Sequence, residues 1–420
     1  MATLLPFQAL RPTPQTAPLV AAVPYDVVST DEARALAAGN ALSFLHVSRA
    51  EIDLPAGTDP YASAVYAAAA CRFDALKREA PLVREQLPSL YLYRLTMGSA
   101  EQIGVAGCYA LDEYDRDLIR KHECTHKDKE DDRTRHMMAL RAQTGPVFLT
   151  YRASADIDAI VSRVAATNPL FDFDAPDDVR HTIWRLPPDD ARALISAFGR
   201  VPTLYIADGH HRAASAARTR QALRAPQRAL LAGGVAPEVA PSSTLACEAF
   251  LAVAFPDNRV RILSYNRLVK ELSGLSQETF LQRIQESFDV SPGQPSPSRK
   301  GEIAMYLAGQ WHRLRAWSDP STREDASAAL DVTVLQSRLL DPVLGIHDVR
   351  SDARIEFVGG VRGTAALEQA VNDGRAAVAF SMFPISVDEL MAIADAGLFM
   401  PPKSTWFEPK LRDGLLIHEI

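Results

Sequence analysis

A short segment, residues 207–212 (ADGHHR), concentrates side chains that could handle phosphate. The apolar run before it, residues 203–207, predicts a buried strand, and the Ala- and Arg-rich run 211–223 predicts a helix directly after it. A strand–glycine–helix junction presents free backbone N–H groups and the positive end of the helix dipole at one point, where anions bind well. Gly209 would let the backbone approach a ligand closely. The pattern therefore predicts a phosphate-binding turn.

The side chains of this turn suggest how it would work. Arg212, in the first helical turn, could offer a planar two-pronged donor to phosphate. His210 and His211 add donors whose charge is tunable near neutral pH, and Asp208 could orient a histidine or hold Mg²⁺. The structural alternative is an aspartate cap beside two satisfied histidines. Four polar groups at a strand end, where open α/β sheets usually bind ligands, favour the functional interpretation.

A very polar stretch, residues 120–136 (RKHECTHKDKEDDRTRH), carries the second group of candidates. In the functional interpretation this stretch is a mobile loop at the phosphate site. Glu123 would be a general base, because a substrate hydroxyl must lose its proton as a phosphoryl group transfers to it. Lys129, Arg133 or Arg135 would contact phosphates. The alternative is a solvated charged loop or a surface helix.

The same stretch formally matches the zinc-protease motif HExxH at residues 122–126. That interpretation requires a helix that places His122 and His126 on one face, and a third ligand. The charged run that follows has no apolar face to bury, so we disfavour the zinc site and assign no metal-ligating residues.

Three further segments could complete a site. Prolines fix the backbone around Lys403 in residues 400–410 (MPPKSTWFEPK), and a rigid loop of this kind could close over a phosphate or a carboxylate. We assign Lys403 to phosphate binding, and Ser404 and Thr405 to substrate binding. The alternative is a loop packed by its aromatic residues. Asp26 lies in an early Pro-Tyr-Asp turn, and we expect its carboxylate to face the cleft of the phosphate-binding turn and bind substrate. The alternative is that Asp26 only stabilises its own turn.

Alternating strands and helices predict an α/β or mixed α+β fold that positions these groups. We divide the chain into an N-terminal α/β segment (1–108), a phosphate-binding core (109–245) and a C-terminal α/β domain (246–420). Residues 41–48 are predicted as a buried strand. A strand near 250–255 is predicted to begin the C-terminal block.

Bulk composition limits the class of protein. The net charge of −7 disfavours broad nucleic-acid binding, which needs a basic surface. No apolar run approaches the roughly 20 residues that span a bilayer, and the N-terminus does not read as a signal peptide. The four cysteines are scattered without a CxxC pair, which is typical of a cytoplasmic protein with reduced thiols. The sequence does not define the oligomeric state, and a homodimer is one possibility.

Several separated motifs together resemble a widespread bacterial family that is catalogued as a domain of unknown function, number ten-fifteen. They are PYDVVS, HE followed by KEDDRTRH, IADGHHRAASA, YNRLVKEL and MPPKSTWFEPK. The central piece also resembles the ParB/sulfiredoxin-like superfamily, and within it the free-serine kinases, which carry an early His-Glu pair and a later DGH(H/T)R turn.

This second resemblance implies a function. Glu123 would activate the acceptor hydroxyl, and residues 208–212 would hold the nucleotide phosphates, so we assign Glu123, Asp208 and His210 to catalysis. The implied reaction is phosphoryl transfer from ATP or ADP, with Mg²⁺, to serine or a similar small hydroxy acid. The alternatives are a nucleotide-binding sensor without turnover and, less favoured, a zinc hydrolase. No cysteine lies beside the turn, which argues against sulfiredoxin activity, and the acidic charge argues against DNA partition.

Overall fold

The computed structural model describes residues 2–79, 82–232, 246–317 and 327–420. The chain forms two compact units, Met1–Val260 with Pro409–Ile420, and Arg261–Glu408. The described residues contain thirteen α-helices and several β-sheets, which confirms the expected mixed α/β fold. Among the described helices, none combines the length and the apolar character needed to cross a bilayer.

The first unit is built on a nine-stranded mixed sheet with the order β6-β11-β8-β12-β5-β4-β10-β9, and β1 pairs with β5 beside this path. Short strands β2 and β3 pair separately. The strands of this unit, up to residue 256, are β1 (Leu4–Leu5), β2 (Leu10–Arg11), β3 (Val83–Arg84), β4 (Tyr91–Met97), β5 (Ala100–Ala110), β6 (Ile119–Arg120), β7 (Ala142–Gln143), β8 (Val147–Tyr151), β9 (Phe171–Asp174), β10 (Val179–Arg185), β11 (Leu204–Asp208) and β12 (Ala249–Pro256).

Nine helices accompany this sheet among the described residues. They are α1 (Ala17–Val20), α2 (Thr30–Ala37), α3 (Leu45–Ser48), α4 (Ser63–Glu79), α5 (Leu111–Asp115), α6 (Lys127–Leu140), α7 (Ala155–Ala165), α8 (Pro188–Phe198) and α9 (His210–Ala232). Short 3₁₀ turns cover Ala50–Asp53 and Asp257–Arg259.

The core of this unit follows from apolar patterning. Strands β8 and β12 are buried along their whole length, as expected for central strands. Helix α7 buries the apolar stripe that a 3.6-residue period produces: Ile157, Ile160, Val161 and Val164. Helix α9 packs against β8 and β12. The helix that follows the Asp-Gly turn is thus anchored on the centre of the sheet.

Two sequence predictions differ from the observed elements. The predicted strand at residues 41–48 is wrong, because Leu45–Ser48 is helical; a short apolar run does not distinguish a buried strand from a buried helical turn. The predicted strand near 250–255 exists as β12, but it lies between β8 and β5 of the first unit instead of opening a C-terminal block. The predicted boundaries after residues 108 and 245 therefore do not coincide with the two compact units.

The second unit contains a six-stranded antiparallel sheet, β15-β17-β16-β19-β14-β18, and a separate pair, β13 with β20. Its strands are β13 (Ile262–Leu263), β14 (Tyr265–Val269), β15 (Phe288–Pro292), β16 (Ile303–Leu307), β17 (Gln310–Ala316), β18 (Ile355–Gly359), β19 (Val378–Met382) and β20 (Trp406–Phe407). Its helices are α10 (Gln277–Gln285), α11 (Asp331–Leu335), which continues as a π-helical turn (Gln336–Leu340), α12 (Ala365–Asn372) and α13 (Val387–Asp395), with a 3₁₀ turn at Gly360–Arg362.

The last twelve residues return to the first unit. Strand β21 (His418–Glu419) pairs with β7 in antiparallel fashion. The tail also buries five apolar side chains, Leu411, Leu415, Leu416, Ile417 and Ile420. A segment that is distant in sequence is therefore part of the core that supports the candidate site.

Candidate functional site

The candidate site forms where two neighbouring strands end. Strands β6 and β11 pair in parallel, with Leu204 opposite Ile119. Because parallel strands run in the same direction, their carboxyl ends reach the same edge of the sheet. This pairing brings the loop after β6 beside the start of α9, so that His122 contacts His210 across 88 residues of sequence.

The Asp-Gly-His turn has the geometry that the sequence predicted. Strand β11 ends at Asp208, Gly209 has a φ of +94°, and α9 begins at His210. A Cβ atom at position 209 would lie 2.9 Å from Nε of Arg212. Both observations require glycine here. The first N–H groups of α9 have no acceptor within the helix, and therefore suit an anion.

Asp208 is held as a carboxylate at the edge of this turn. Arg212 Nη2 lies 3.1 Å and Lys410 Nζ 3.5 Å from its Oδ2. Burial alone would raise the pKa of Asp208, but the Lys410 and Arg212 cations outweigh it and lower the pKa to about 2. The side chain is still 30% exposed. Asp208 is therefore an ionised oxygen ligand that a cation could reach.

Arg212 is more deeply buried than a direct phosphate ligand would be. Its Nη1 donates to the Pro146 carbonyl at 2.6 Å, and its Nη2 binds Asp208. Only 7% of its side chain is exposed. The predicted direct contact with phosphate stays a prediction. The contacts in the structure favour Arg212 as the residue that holds Asp208 and the turn in position.

Glu123 lies beside His210 as the sequence analysis required of a base near the turn. Glu123 Oε2 is 3.8 Å from His210 Nδ1, and 41% of its side chain is exposed. The His122 N–H points at His210 Nε2 at 3.4 Å, and the His122 and His210 rings meet edge to face. Burial lowers the pKa of both histidines, that of His122 to about 4. The two imidazoles are therefore neutral at physiological pH.

The HExxH interpretation is wrong. Residues 121–126 are not helical, since α6 begins only at Lys127. His126 instead stacks on His211, with ring centroids 5.9 Å apart, and its N–H donates to His211 Nε2 at 3.0 Å. The two histidines of the motif therefore do not share a helical face.

The rest of the polar stretch forms helix α6, with one face buried. Asp132, His136, Met137 and Leu140 line that face. Ser215 Oγ of α9 donates to the Glu130 carbonyl at 3.1 Å, and Arg218 binds Glu130 as well. The two helices pack together. Most of the stretch is therefore a helix with one buried face beside the turn, which fits the surface-helix alternative and not the predicted phosphate-site loop.

A cavity of about 200 Å³ opens beside this arrangement. Arg133 lines it, stacked 4.0 Å from the Tyr25 ring centroid and paired with Asp132 at 2.7 Å. Asp26 also lines it and acts on both His211 and Arg212. Burial lowers the pKa of His211 to about 4 in spite of Asp26, whereas for Arg212 burial is outweighed by Asp208 and Asp26, which raise its pKa. The remaining lining residues are Val28, Val47, Ser48, Arg49, Ala50, Glu51, Pro60, Tyr61, Val65, Tyr66, Lys129 and His136.

Two polar residues near the turn were missed by the sequence analysis. Lys410 stands inside the quoted C-terminal motif, but only the tertiary structure brings it to Asp208. Asp413 is buried, and burial raises its pKa to about 7 despite the nearby guanidinium of Arg212. No local pattern in the sequence marks either residue as part of a site.

The other predicted C-terminal residues lie in the second unit. Lys403 has a φ of +57°, and its Nζ lies 5.6 Å from the Tyr265 ring centroid. Ser404 is buried and its hydroxyl donates to the Pro401 carbonyl at 2.6 Å. These contacts fit the packed-loop alternative, and the substrate roles of Ser404 and Thr405 stay predictions.

The chain belongs to the family described as "Protein of unknown function (DUF1015)", whose model matches residues 4–333. This confirms the family membership that the separated motifs indicated. The match includes β6, α6 and β11, and ends before Lys410. No curated protein matches the chain.

Solved structures share only distant similarity with the chain. A C-terminally truncated SbnI from Staphylococcus aureus is 12% identical, with a TM-score of 0.39, over 73% of this chain and 85% of that one. A free serine kinase in complex with AMP is 12% identical, with a TM-score of 0.34, over 76% and 94%. A conserved hypothetical protein from Pyrococcus furiosus is 14% identical, with a TM-score of 0.34, over 74% and 94%. TM-scores of this size do not establish a shared fold, so the function has to follow from the residues of the site.

Proposed function

We propose that this protein is a small-molecule kinase that transfers a phosphoryl group from ATP or ADP to the hydroxyl of serine or a similar small hydroxy acid. The observation that carries the proposal is the placement of a half-exposed carboxylate, Glu123, beside a glycine turn that opens a long helix. A kinase of this type needs a base for the acceptor hydroxyl next to a cradle for the transferred phosphate.

The turn suits the nucleotide phosphates. Gly209 adopts the positive φ that lets the chain turn directly into the helix, and the amino end of the 23-residue helix α9 favours negative charge. Asp208 is an ionised and accessible oxygen ligand of the kind that Mg²⁺ prefers. Mg²⁺ bound there would neutralise charge on the phosphates.

Glu123 would take the hydroxyl proton of the acceptor. The acceptor oxygen forms its bond to phosphorus as the bridging oxygen of the nucleotide leaves, with ADP as the product from ATP or AMP as the product from ADP. The buried neutral His210, 3.8 Å from Glu123, adds no competing positive charge beside the carboxylate. A cytoplasmic location and a ParB/sulfiredoxin-like core are parts of the same proposal.

The neighbouring cavity suits the acceptor. It offers the carboxylate of Asp26 and the guanidinium groups of Arg49 and Arg133, so both ends of an amino acid have oppositely charged partners. A volume of about 200 Å³ restricts the acceptor to a small molecule. Lys129, on the same wall, adds a cation between the cavity and His211.

A phosphoryl-transfer screen tests this proposal. The full chain, Mg²⁺ and either ATP or ADP would be incubated with small hydroxy acids and hydroxylated amino acids, L-serine included, and products detected by mass spectrometry. We expect a phosphorylated product whose rate falls at least 10²-fold in Glu123→Gln, the lower range for loss of a general base, while nucleotide affinity is retained. Glu101→Gln, the same change at an exposed glutamate of the first unit, should leave the rate unchanged.

The outcomes separate the alternatives. If Glu123→Gln turned over as fast as the wild type, Glu123 would not be the general base. Nucleotide binding without any phosphorylated product would replace the kinase by a sensor, and the absence of nucleotide binding would reduce the turn to a structural cap.

A further inference from the structure

Three potential metal ligands converge at the edge of the sheet where β6 and β11 end. One ligand atom each from His122, Glu123 and His210 lies within 4.8 Å of the others. This trio differs from the HExxH motif, since it takes His210 from the helix start and leaves out His126. No local sequence pattern reveals the trio, because His210 lies 88 residues after His122.

His122 is the most unusual member of this trio. It is 1% exposed, and neither of its ring nitrogens makes a hydrogen bond of ordinary geometry with the described residues, although the Ile206 carbonyl lies close enough to interact with one of them. A buried polar group without a partner costs about 1–3 kcal/mol. A metal ion would give one of these nitrogens a partner, and a buried neutral imidazole is the form that coordinates metals.

The distances are close to those of a coordination sphere. Zn–N and Zn–O bonds of about 2.0–2.2 Å place neighbouring ligands of a tetrahedron about 3.4 Å apart. The His210 Nδ1–Glu123 Oε2 distance of 3.8 Å is already near this value. Coordination through Nδ1 requires the proton of His210 on Nε2, and gives up only the long 3.4 Å contact with the His122 N–H.

We infer that His122, Glu123 and His210 form a binding site for a divalent transition-metal ion such as Zn²⁺ or Mn²⁺. Two imidazoles favour such ions over Mg²⁺, which prefers oxygen ligands alone. Three protein ligands leave at least one position open, as in catalytic metal sites. Because the Glu123 side chain is 41% exposed, the site can be reached from solvent, and an oxygen of a phosphate or carboxylate could complete the coordination.

This site stands independently of the kinase proposal, since metal binding requires no turnover. The metal site is also compatible with the kinase proposal, because a Glu123 that binds the metal through one oxygen keeps its second oxygen to accept a proton. If both hold, the transfer centre contains a transition metal beside the nucleotide's own Mg²⁺.

Metal titration of the chelator-treated full chain tests the inference without any activity assay. Zn²⁺, Mn²⁺ and Mg²⁺ would be titrated separately by calorimetry, and Co²⁺ followed by its visible absorption bands. We expect one Zn²⁺ or Mn²⁺ per chain, bound at least 10-fold more tightly than Mg²⁺, and Co²⁺ bands typical of mixed nitrogen and oxygen ligands. His122→Ala and Glu123→Gln should each weaken binding at least 10-fold.

The matched control is His126→Ala, which removes a histidine of the same loop that lies outside the trio and should bind metal as the wild type does. Glu123→Gln keeps the test decisive if His122→Ala does not fold, because Glu123 is half-exposed. Equal binding by wild type and Glu123→Gln, an equal loss in His126→Ala, or the absence of stoichiometric Zn²⁺ or Mn²⁺ binding would each overturn the assignment.

Discussion

At the scale of single residues, the candidate site depends on one glycine. Gly209 combines a positive φ with a position where any Cβ would press on Arg212, and Arg212 in turn holds Asp208. A side chain here would disturb the turn and the carboxylate together. The glycine is therefore a structural requirement of the proposed phosphate cradle.

We expect Gly209→Ala to lower the free energy of unfolding by about 1–3 kcal/mol, the usual cost of a strained backbone, and to weaken nucleotide binding as well. Gly39→Ala is the matched control, because Gly39 has a φ of +74° but nothing within 4 Å of the added methyl group. Thermal unfolding and nucleotide titration of both variants separate backbone strain from the contact with Arg212. Equal losses in the two variants would contradict the role given to that contact.

Asp413 makes the stability of the first unit depend on pH. Burial raises its pKa from 3.8 to about 7, so the folded protein holds its proton more tightly than the unfolded chain. The stabilisation is complete below the unfolded pKa and is lost as the pH rises to about 7. Asp413→Asn mimics the protonated form and should remove this loss.

We therefore expect the Tm of Asp413→Asn to exceed that of the wild type by more at pH 8 than at pH 5, by roughly 2 °C or more. Asp373→Asn, at an exposed aspartate, provides the comparison and should give the same small difference at both pH values. Thermal scans at four pH values decide the point. A constant difference for Asp413→Asn would mean that its carboxyl group does not titrate in this interval.

At the scale of elements, helices α4 and α6 supply two walls of the cavity, and α9 packs against α6. Tyr66 of α4 donates its hydroxyl to Asp132 Oδ1 of α6 at 2.8 Å, and Asp132 pairs with Arg133. This chain of contacts sets the position of the Arg133 guanidinium over the cavity. Arg218 and Ser215 then join α6 to α9, and hence to the glycine turn.

Tyr66→Phe tests this arrangement. Loss of the hydrogen bond should lower stability by about 1 kcal/mol, and should raise the KM for the acceptor several-fold with less effect on the nucleotide, because Arg133 loses its fixed position. Tyr61→Phe is the matched control, since Tyr61 lines the same cavity but is largely exposed. Steady-state kinetics of both variants, with each substrate varied in turn, provide the measurement. An unchanged acceptor KM in Tyr66→Phe would show that α4 does not help to position the acceptor site.

At the scale of the whole molecule, the first unit is assembled from both ends of the chain. The tail Pro409–Ile420 leaves the second unit, pairs through β21 with β7, and buries five apolar side chains in the first unit. Each fully buried side chain of this size contributes about 1.5–3 kcal/mol. Their sum is comparable with the whole stability of a typical domain, about 5–15 kcal/mol.

Removal of residues 409–420 should therefore unfold the first unit, although it deletes only the end of the chain. Lys410→Ala should remain folded, because it removes one cation at Asp208 and none of the apolar contacts. Circular dichroism and limited proteolysis of the two variants distinguish these outcomes. A truncated chain that keeps a folded first unit would show that the tail is dispensable for its core.

Local signals in the sequence predicted the local features of the site. An apolar run, an Asp-Gly pair and an Ala- and Arg-rich run predicted a strand at 203–207, a turn and a helix at 211–223, because each signal arises from neighbouring residues. The structure has this strand and turn, and the helix extends to Ala232. The same kind of signal indicated Glu123 and the separated motifs of the family. Local patterning does not decide the secondary structure of short apolar runs such as 41–48, since a strand and a helix bury them equally well.

The contacts between these distant groups arise from the tertiary fold. The parallel pairing of β6 with β11 brings His122 and Glu123 to His210, and the returning tail brings Lys410 to Asp208. These contacts depend on strand order and on burial of the tail, which no local spacing encodes. The loop after β6 is not helical, which excludes the HExxH helix, and the strand pairing instead brings together a different trio of potential metal ligands.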